Sequence, residues 1–158
     1  MRIKKKKKTF AERAYKNTHV DADYTQIQIT KMLEQLGITN IRITREGTDY
    51  SIEFIVRMRH DENPRKIRMT VPFNTELGED EMSEEQRKNA IFRVLYWQLK
   101  SKFVSVQNNL KELEEEFLAD LVISHNGREV RLGDIITPRY KEQLKHEKIA
   151  VFSIKSGE

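Results

Sequence analysis

Three runs of alternating apolar and polar residues, joined by two short turns, constrain the fold of this chain more than any other feature. The runs span residues 38–45, 50–60 and 65–73. Connections as short as these join antiparallel neighbours, so the runs predict a three-stranded meander. Because side chains alternate between the two faces of a strand, the pattern also assigns each residue to a face. The predicted core face carries Ile41, Ile43, Tyr50, Ile52, Phe54, Val56, Met58, Ile67, Met69, Val71 and Phe73.

The opposite face of the predicted sheet is strongly basic. Glu53 is its single acid, and Ile55 is its single exposed apolar residue. A polar outer face serves solubility, but a mixture of both charges serves solubility better. The excess of cations therefore favours a phosphate-binding surface, with plain solubility as the alternative. The cations of this face are Arg42, Arg57, Arg59, Lys66 and Arg68.

A helix is predicted on each side of the meander. Residues 24–36 carry apolar side chains at helical spacing after Asp23, which is interpreted as the N-cap of a capping box. Residues 84–107 show the clearest helical periodicity in the chain, and Ser83 opens a second capping box. This order of elements predicts an α+β fold with an α-β-β-β-α core.

Smaller elements are predicted to follow the core. Asn126 and Gly127 indicate a hairpin, because a type I′ turn needs positive φ at both of its central positions. Thr137 and Pro138 are typical of an N-cap followed by the first helical residue. The expected elements are a helix over 109–121, a hairpin over 121–132, a short helix over 138–146 and a strand over 148–154.

The N-terminal segment is set apart by its charge. Residues 1–16 contain eight basic side chains and one acid, whereas the whole chain has a net charge of +4. A block of like charges repels itself, which predicts a disordered basic arm over 1–19 ahead of one α+β domain over 20–158. Phe10 and Tyr15 either stack on bases or anchor the arm to the domain. The basic side chains of the arm are Arg2, Lys4, Lys5, Lys6, Lys7, Lys8, Arg13 and Lys16.

The chain carries no strong catalytic signature. It has no cysteine, which excludes disulfides, thiol catalysis and zinc–thiolate sites. Its four histidines share no metal-ligand spacing, and no phosphate-binding glycine motif occurs. No stretch approaches the ~20 apolar residues of a membrane helix, and no secretory signal is expected. We therefore expect a cytoplasmic, non-enzymatic protein without a metal or a cofactor.

Residues 85–140 contain four segments in a distinctive order: Trp97-Gln-Leu-Lys-Ser-Lys102, Glu115-Glu-Phe-Leu-Ala119, the Asn126-Gly127 hairpin and Ile136-Thr-Pro-Arg-Tyr140. In this order they resemble a family of small uncharacterised proteins encoded by tailed phages and prophages. No activity is established for the family, so no functional residue is carried over. The resemblance implies the cytoplasm of an infected cell and a role in replication, recombination or interference with the host.

Two functions are compatible with these features. The first is non-catalytic, sequence-independent binding of nucleic acid, with affinity that falls steeply with salt. Single-stranded DNA is preferred over duplex, because no recognition helix is evident and a charged groove with a few aromatics suits single strands. The alternative is a viral protein that binds and inhibits or scaffolds a host protein through the acidic loop 76–85 and the helical segment 91–103. Trp97 is expected in the core or at a subunit interface. The long helix with Tyr96, Trp97 and Phe103, together with the terminal strand 148–154, favours a homo-oligomer.

Overall fold

The computed structural model describes residues 18–47, 49–59, 61–71 and 83–146. The basic arm through residue 17, the acidic residues 76–82, Phe73 and the predicted strand 148–154 lie outside these ranges. The described elements are helix α1 (Ala22–Gln35), strands β1 (Ile41–Glu46), β2 (Asp49–Val56) and β3 (Arg65–Val71), helices α2 (Glu84–Gln107) and α3 (Leu113–Phe117), a 3₁₀ turn (Leu118–Asp120), strands β4 (Val122–His125) and β5 (Arg128–Arg131), and helix α4 (Leu132–His146). The fold is α+β, as predicted. None of the helices in the described ranges is long and apolar enough to cross a membrane.

The predicted antiparallel meander is confirmed. The strands lie in the order β1-β2-β3, with Ile52 of the central strand opposite Ile43 on one side and Met69 on the other. The alternation also assigned the faces correctly, since the core-face residues of β2 and β3 are buried and those of β1 are partly buried. However, β2 ends at Val56 rather than at residue 60, although Met58 beyond it is still buried.

The C-terminal end of α1 explains why β1 begins later than predicted. Gly37 has a positive φ of 79°, and its N–H donates to the carbonyl of Glu34. The N–H of Ile38 donates to the carbonyl of Leu33 at 3.0 Å, which completes a Schellman motif. The backbone N–H of Ile38 is therefore bonded to the end of the helix and not to a neighbouring strand, and β1 begins only at Ile41.

The predicted N-cap of α1 was wrong by two residues. The cap is Asp21, whose Oδ1 accepts the N–H of Asp23 at 2.7 Å. The N–H of Ala22 donates to Asn89 Oδ1 in α2, also at 2.7 Å, so a tertiary contact holds the start of the helix. Two aspartates with the same capping chemistry were available, and this long-range bond favours the earlier one.

The core lies between the sheet and the helices. α2 begins with the predicted capping box of Ser83 and Gln86, and it buries Ile91, Leu95 and Leu99. At its far end the rings of Phe103 and Phe117 lie 5.2 Å apart, so α3 closes the core at this end. Each such buried side chain contributes roughly 1.5–3 kcal/mol.

The helix predicted over 109–121 is much shorter in the structure. α2 ends at Gln107, and Asn109 adopts a positive φ of 54°. A residue in this conformation breaks the helix. Only the five residues of α3 and the 3₁₀ turn are helical. Leu110, which lies between α2 and α3, is 74% exposed.

The hairpin is confirmed, but α4 begins earlier than predicted. Asn126 and Gly127 have φ values of 52° and 73°, and His125 pairs with Arg128 across the turn. Pro138 lies inside α4 rather than at its first position. Gly133 lets the start of this helix approach the 3₁₀ turn, because a Cβ there would lie 2.8 Å from the carbonyl oxygen of Ala119.

Candidate nucleic-acid interface

The predicted site residues divide into two groups. Those of the arm, with the two aromatic residues interleaved among them, lie outside the described residues. They are Arg2, Lys4, Lys5, Lys6, Lys7, Lys8, Phe10, Arg13, Tyr15 and Lys16. The five cations assigned to the outer face of the sheet are described, and their surroundings determine what this face can bind.

Glu53 lies at the centre of the outer face, and its side chain is only 7% exposed. The register places it between Arg42 of β1 and Arg68 of β3. Arg42 Nε donates to Oε2 at 2.8 Å, and Arg68 Nε donates to Oε1 at 2.6 Å. Burial alone would raise the pKa of Glu53, but the hydrogen bonds and charges of the two arginines outweigh it and lower that pKa below its ordinary value. Two of the predicted phosphate-binding cations, Arg42 and Arg68, are thus paired with Glu53.

A further acid reaches this face from the β4–β5 hairpin. Lys66 Nζ lies 2.7 and 2.8 Å from the two carboxylate oxygens of Glu129, and Arg68 Nη2 lies 3.4 Å from one of them. The hairpin segment is brought alongside β3, where Leu121 forms an isolated bridge with Ile67. The expectation of a face with a single acid was therefore wrong. Arg42, Glu53, Lys66, Arg68 and Glu129 form what we call the sheet network.

The remaining two predicted cations lie beyond the end of β2. Arg59 is exposed and lies 3.7 Å from the carboxylate of Glu112. Arg57 is also exposed and makes no ion pair within the described ranges. The side chain of Arg42 remains 65% exposed despite its bond to Glu53. These three arginines are the sheet cations most accessible to a phosphate.

An exposed aromatic and cationic cluster on α2 was not predicted. Trp97 is 41% exposed, so it is not a core residue. Arg93 Cζ lies 5.6 Å and Lys100 Nζ 5.0 Å from its ring centroid, within the range of cation–π contact. The Tyr96 ring packs edge-on at 5.3 Å. The spacing of the two cations, four residues before and three after the tryptophan, would have identified this Trp97 cluster (Arg93, Tyr96, Trp97 and Lys100) in the sequence.

Arg93 is held in place by a contact with the first helix. Its Nη1 donates to Gln28 Oε1 of α1 at 3.0 Å, while its guanidinium lies 5.0 Å from the Tyr96 centroid. A cation restrained in this way loses less side-chain entropy when it binds a ligand. The Trp97 cluster is therefore a partly preorganised group of one exposed indole ring, one half-buried tyrosine ring and two cations.

The charge of the described part is almost balanced. It contains nineteen basic and eighteen acidic side chains, and thirteen ion pairs link many of them. The excess positive charge of the protein consequently lies in residues 1–16. Any long-range attraction for polyanions must come from the arm, whereas the body offers only local groups of cations.

Within the described ranges, no group of three or more histidine, aspartate or glutamate residues is arranged to hold a metal ion. Comparison with protein-family models, with curated proteins and with solved structures found no match. The resemblance of residues 85–140 to the phage family therefore stays a prediction.

Proposed function

We propose that this protein binds single-stranded nucleic acid without sequence specificity and without catalysis, and that it prefers single-stranded DNA to duplex. The observation that carries the proposal is the Trp97 cluster. An exposed ring flanked by two cations is the combination that lets non-specific single-strand binders stack a base and hold the adjoining phosphates. Stacking on such a ring contributes roughly 1–3 kcal/mol per base.

The basic arm and the body have different roles in this proposal. The arm supplies up to eight cations for phosphate contacts. On a single strand, each neutralised phosphate contributes about −0.7 to the slope of log affinity against log salt concentration. The cations of the arm would therefore give a slope of about −5 to −6. The balanced body adds the Trp97 cluster and the exposed arginines Arg42, Arg57 and Arg59. Lys66 and Arg68 contribute less, because they are paired with Glu129 and Glu53 and their side chains are only 30% and 23% exposed.

The test is a titration of fluorescent single-stranded and duplex oligonucleotides at several salt concentrations. Full-length protein is compared with a deletion of residues 1–16 and with Trp97→Leu, with Tyr140→Leu as the matched control. Tyr140 is an exposed aromatic on α4, 56% exposed and remote in sequence from the cluster.

We expect tight, salt-dependent binding that favours the single strand. Deletion of the arm should flatten the salt dependence, and Trp97→Leu should weaken binding about tenfold at constant slope, as expected for a lost stacking contact. Tyr140→Leu should bind like the wild type. Failure of the full-length protein to bind any oligonucleotide at low salt would overturn the proposal.

The second candidate is a viral protein that binds and inhibits or scaffolds a host protein. It is favoured by two exposed apolar residues of α1, Tyr24 at 56% and Ile27 at 51% exposure. α1 packs beside α2 and contacts Arg93 through Gln28. This function requires binding to a protein surface that survives deletion of the arm, so the same arm deletion separates the two candidates.

A further inference from the structure

A pocket of about 590 Å³ lies beside Trp97, between α2, strand β3 and the 3₁₀ turn. β3 is an edge strand of the three-stranded sheet, so the pocket lies at the border of the sheet. Its volume falls in the ~300–1,000 Å³ range of pockets for small ligands. The residues that matter for its chemistry are Thr70, Trp97, Ser101, Lys102, Asp120 and Arg131.

Asp120 is a largely buried carboxylate whose contacts with its cationic neighbours are long. Its side chain is 14% exposed, and the nearest cationic nitrogens are Lys102 Nζ at 3.4 Å and Arg131 Nη1 at 3.7 Å. Charge-assisted hydrogen bonds are shorter, at about 2.7–2.9 Å. Within the part of the chain that the structure describes, both contacts of Asp120 with cations are therefore longer than a typical charge-assisted hydrogen bond.

The two neighbouring cations are directed towards other partners. Lys102 Nζ donates to the backbone carbonyl of Glu116 at 2.6 Å, and Arg131 Nη2 donates to Asp134 Oδ1 at 2.8 Å. Burial raises the pKa of Asp120, and the charge and hydrogen bond of Lys102 and the charge of Arg131 only partly oppose the shift. The fold consequently carries a desolvated charge that its own residues do not fully stabilise, as is common at ligand sites.

We infer that this pocket holds one nucleobase that bears an exocyclic amino group, with Trp97 alongside its ring and Asp120 accepting from the amino group. The inference rests on the proposed function. Adenine, cytosine and guanine present amino donors, whereas the single donor of the thymine base, N3–H, lies between two carbonyl oxygens that a carboxylate repels.

The test compares oligo-dA, oligo-dC and oligo-dT of equal length with the full-length chain. We expect oligo-dA and oligo-dC to bind about fivefold more tightly than oligo-dT, the factor that one hydrogen bond supplies. Asp120→Asn should abolish or reverse this preference, because an amide can donate to the thymine O4 as well as accept. A purely structural role of Asp120 in the ion pairs would change the melting temperature but not the order of the three oligonucleotides.

A second variant keeps the test decisive if Asp120→Asn folds poorly. Ser101 is exposed on α2 and lines the pocket, so Ser101→Tyr should fill it and bring oligo-dA and oligo-dC down to the affinity of oligo-dT. Val104→Tyr is the matched control, since Val104 is 44% exposed on the same helix and does not line this pocket.

The outcomes separate the inference from the proposed function. If the wild type bound all three oligonucleotides equally, and Ser101→Tyr bound them as the wild type does, the inferred base pocket would be overturned while the proposed single-strand binding would stand. Absence of binding to all three would overturn both. If the wild type preferred oligo-dA and oligo-dC, and this preference were lost in Ser101→Tyr but retained in Val104→Tyr, the pocket would be established as the base site.

Discussion

Replacement of Glu53 by glutamine should have opposite effects on stability and on nucleic-acid binding. The wild-type carboxylate is almost fully buried and joins β1 to β3 across the central strand through Arg42 and Arg68. Glutamine keeps the shape and one acceptor oxygen, but its NH₂ group faces a guanidinium. The change therefore removes a charge-assisted hydrogen bond and releases positive charge on the outer face.

The size of both effects follows from these contacts. Hydrogen bonds to charged groups contribute about 1.5–3 kcal/mol, so we expect a loss of about 2 kcal/mol in the free energy of unfolding. For a chain of this length that corresponds to roughly 4–8 °C in Tm. Each phosphate contact on a single strand contributes about 0.7 to the slope of log affinity against log salt concentration. One additional contact should therefore raise the affinity for a single strand about fivefold at 0.1 M salt.

The assay combines thermal unfolding with the oligonucleotide titration. Glu62→Gln is the matched control, because it removes the same charge from an exposed turn residue. We expect the control to leave Tm nearly unchanged. Unaltered Tm in Glu53→Gln would refute the argument that the sheet network stabilises the fold. If Glu53→Gln had a lower Tm but no higher affinity for the oligonucleotides, the outer face of the sheet would not take part in binding.

The pH dependence of the same pair of proteins provides an independent check. The folded pKa of Glu53 lies below its ordinary value, because the arginines favour the ionised carboxyl. Its contribution to stability is therefore complete above the unfolded pKa of about 4.3 and is lost as the pH falls through the folded pKa. The difference in Tm between wild type and Glu53→Gln should shrink below about pH 4.

Two further predictions concern the packing that positions the site. Phe117→Ala should lower the free energy of unfolding, measured by denaturant titration, by about 3–5 kcal/mol, because the ring is fully buried against Phe54 and Phe103. Leu118→Ala is the control: this side chain is 49% exposed, so its loss should change the free energy of unfolding by less than about 0.5 kcal/mol. Gly133→Ala should reduce Tm, because the new Cβ would lie 2.8 Å from the backbone oxygen of Ala119. Overpacking of this kind costs about 1–3 kcal/mol. If the variant melted at the same temperature as the wild type, the close approach of α4 to the 3₁₀ turn would be contradicted.

Local patterns were sufficient to predict most of the elements. The alternation over residues 41–71 specified the meander and its buried face, because side-chain direction in a strand depends only on the neighbouring residues. The capping box at Ser83 and the Asn126-Gly127 turn were confirmed for the same reason. Errors occurred where a distant contact decided between local alternatives, as when Asn89 holds the N–H that starts α1.

The candidate site was much less predictable than the fold. Periodicity placed Glu53 and the sheet cations on the outer face, but it could not reveal that Glu129 lies against Lys66, sixty-three residues away in sequence. Asp120 and Arg131 joined Trp97 in one pocket only because the hairpin and the 3₁₀ turn pack beside β3. Nothing in their spacing indicated this arrangement.

The sequence by itself determined the α+β order of elements, the buried face of the sheet and the concentration of excess positive charge in residues 1–16. Each of these depends on the residue types within a few positions of one another. Only the tertiary structure decided which charges neutralise each other, which aromatic ring remains exposed and which polar groups line a pocket. Electrostatic interactions and burial act through space between segments far apart in the chain, so the partners of a charge emerge only when those segments pack together.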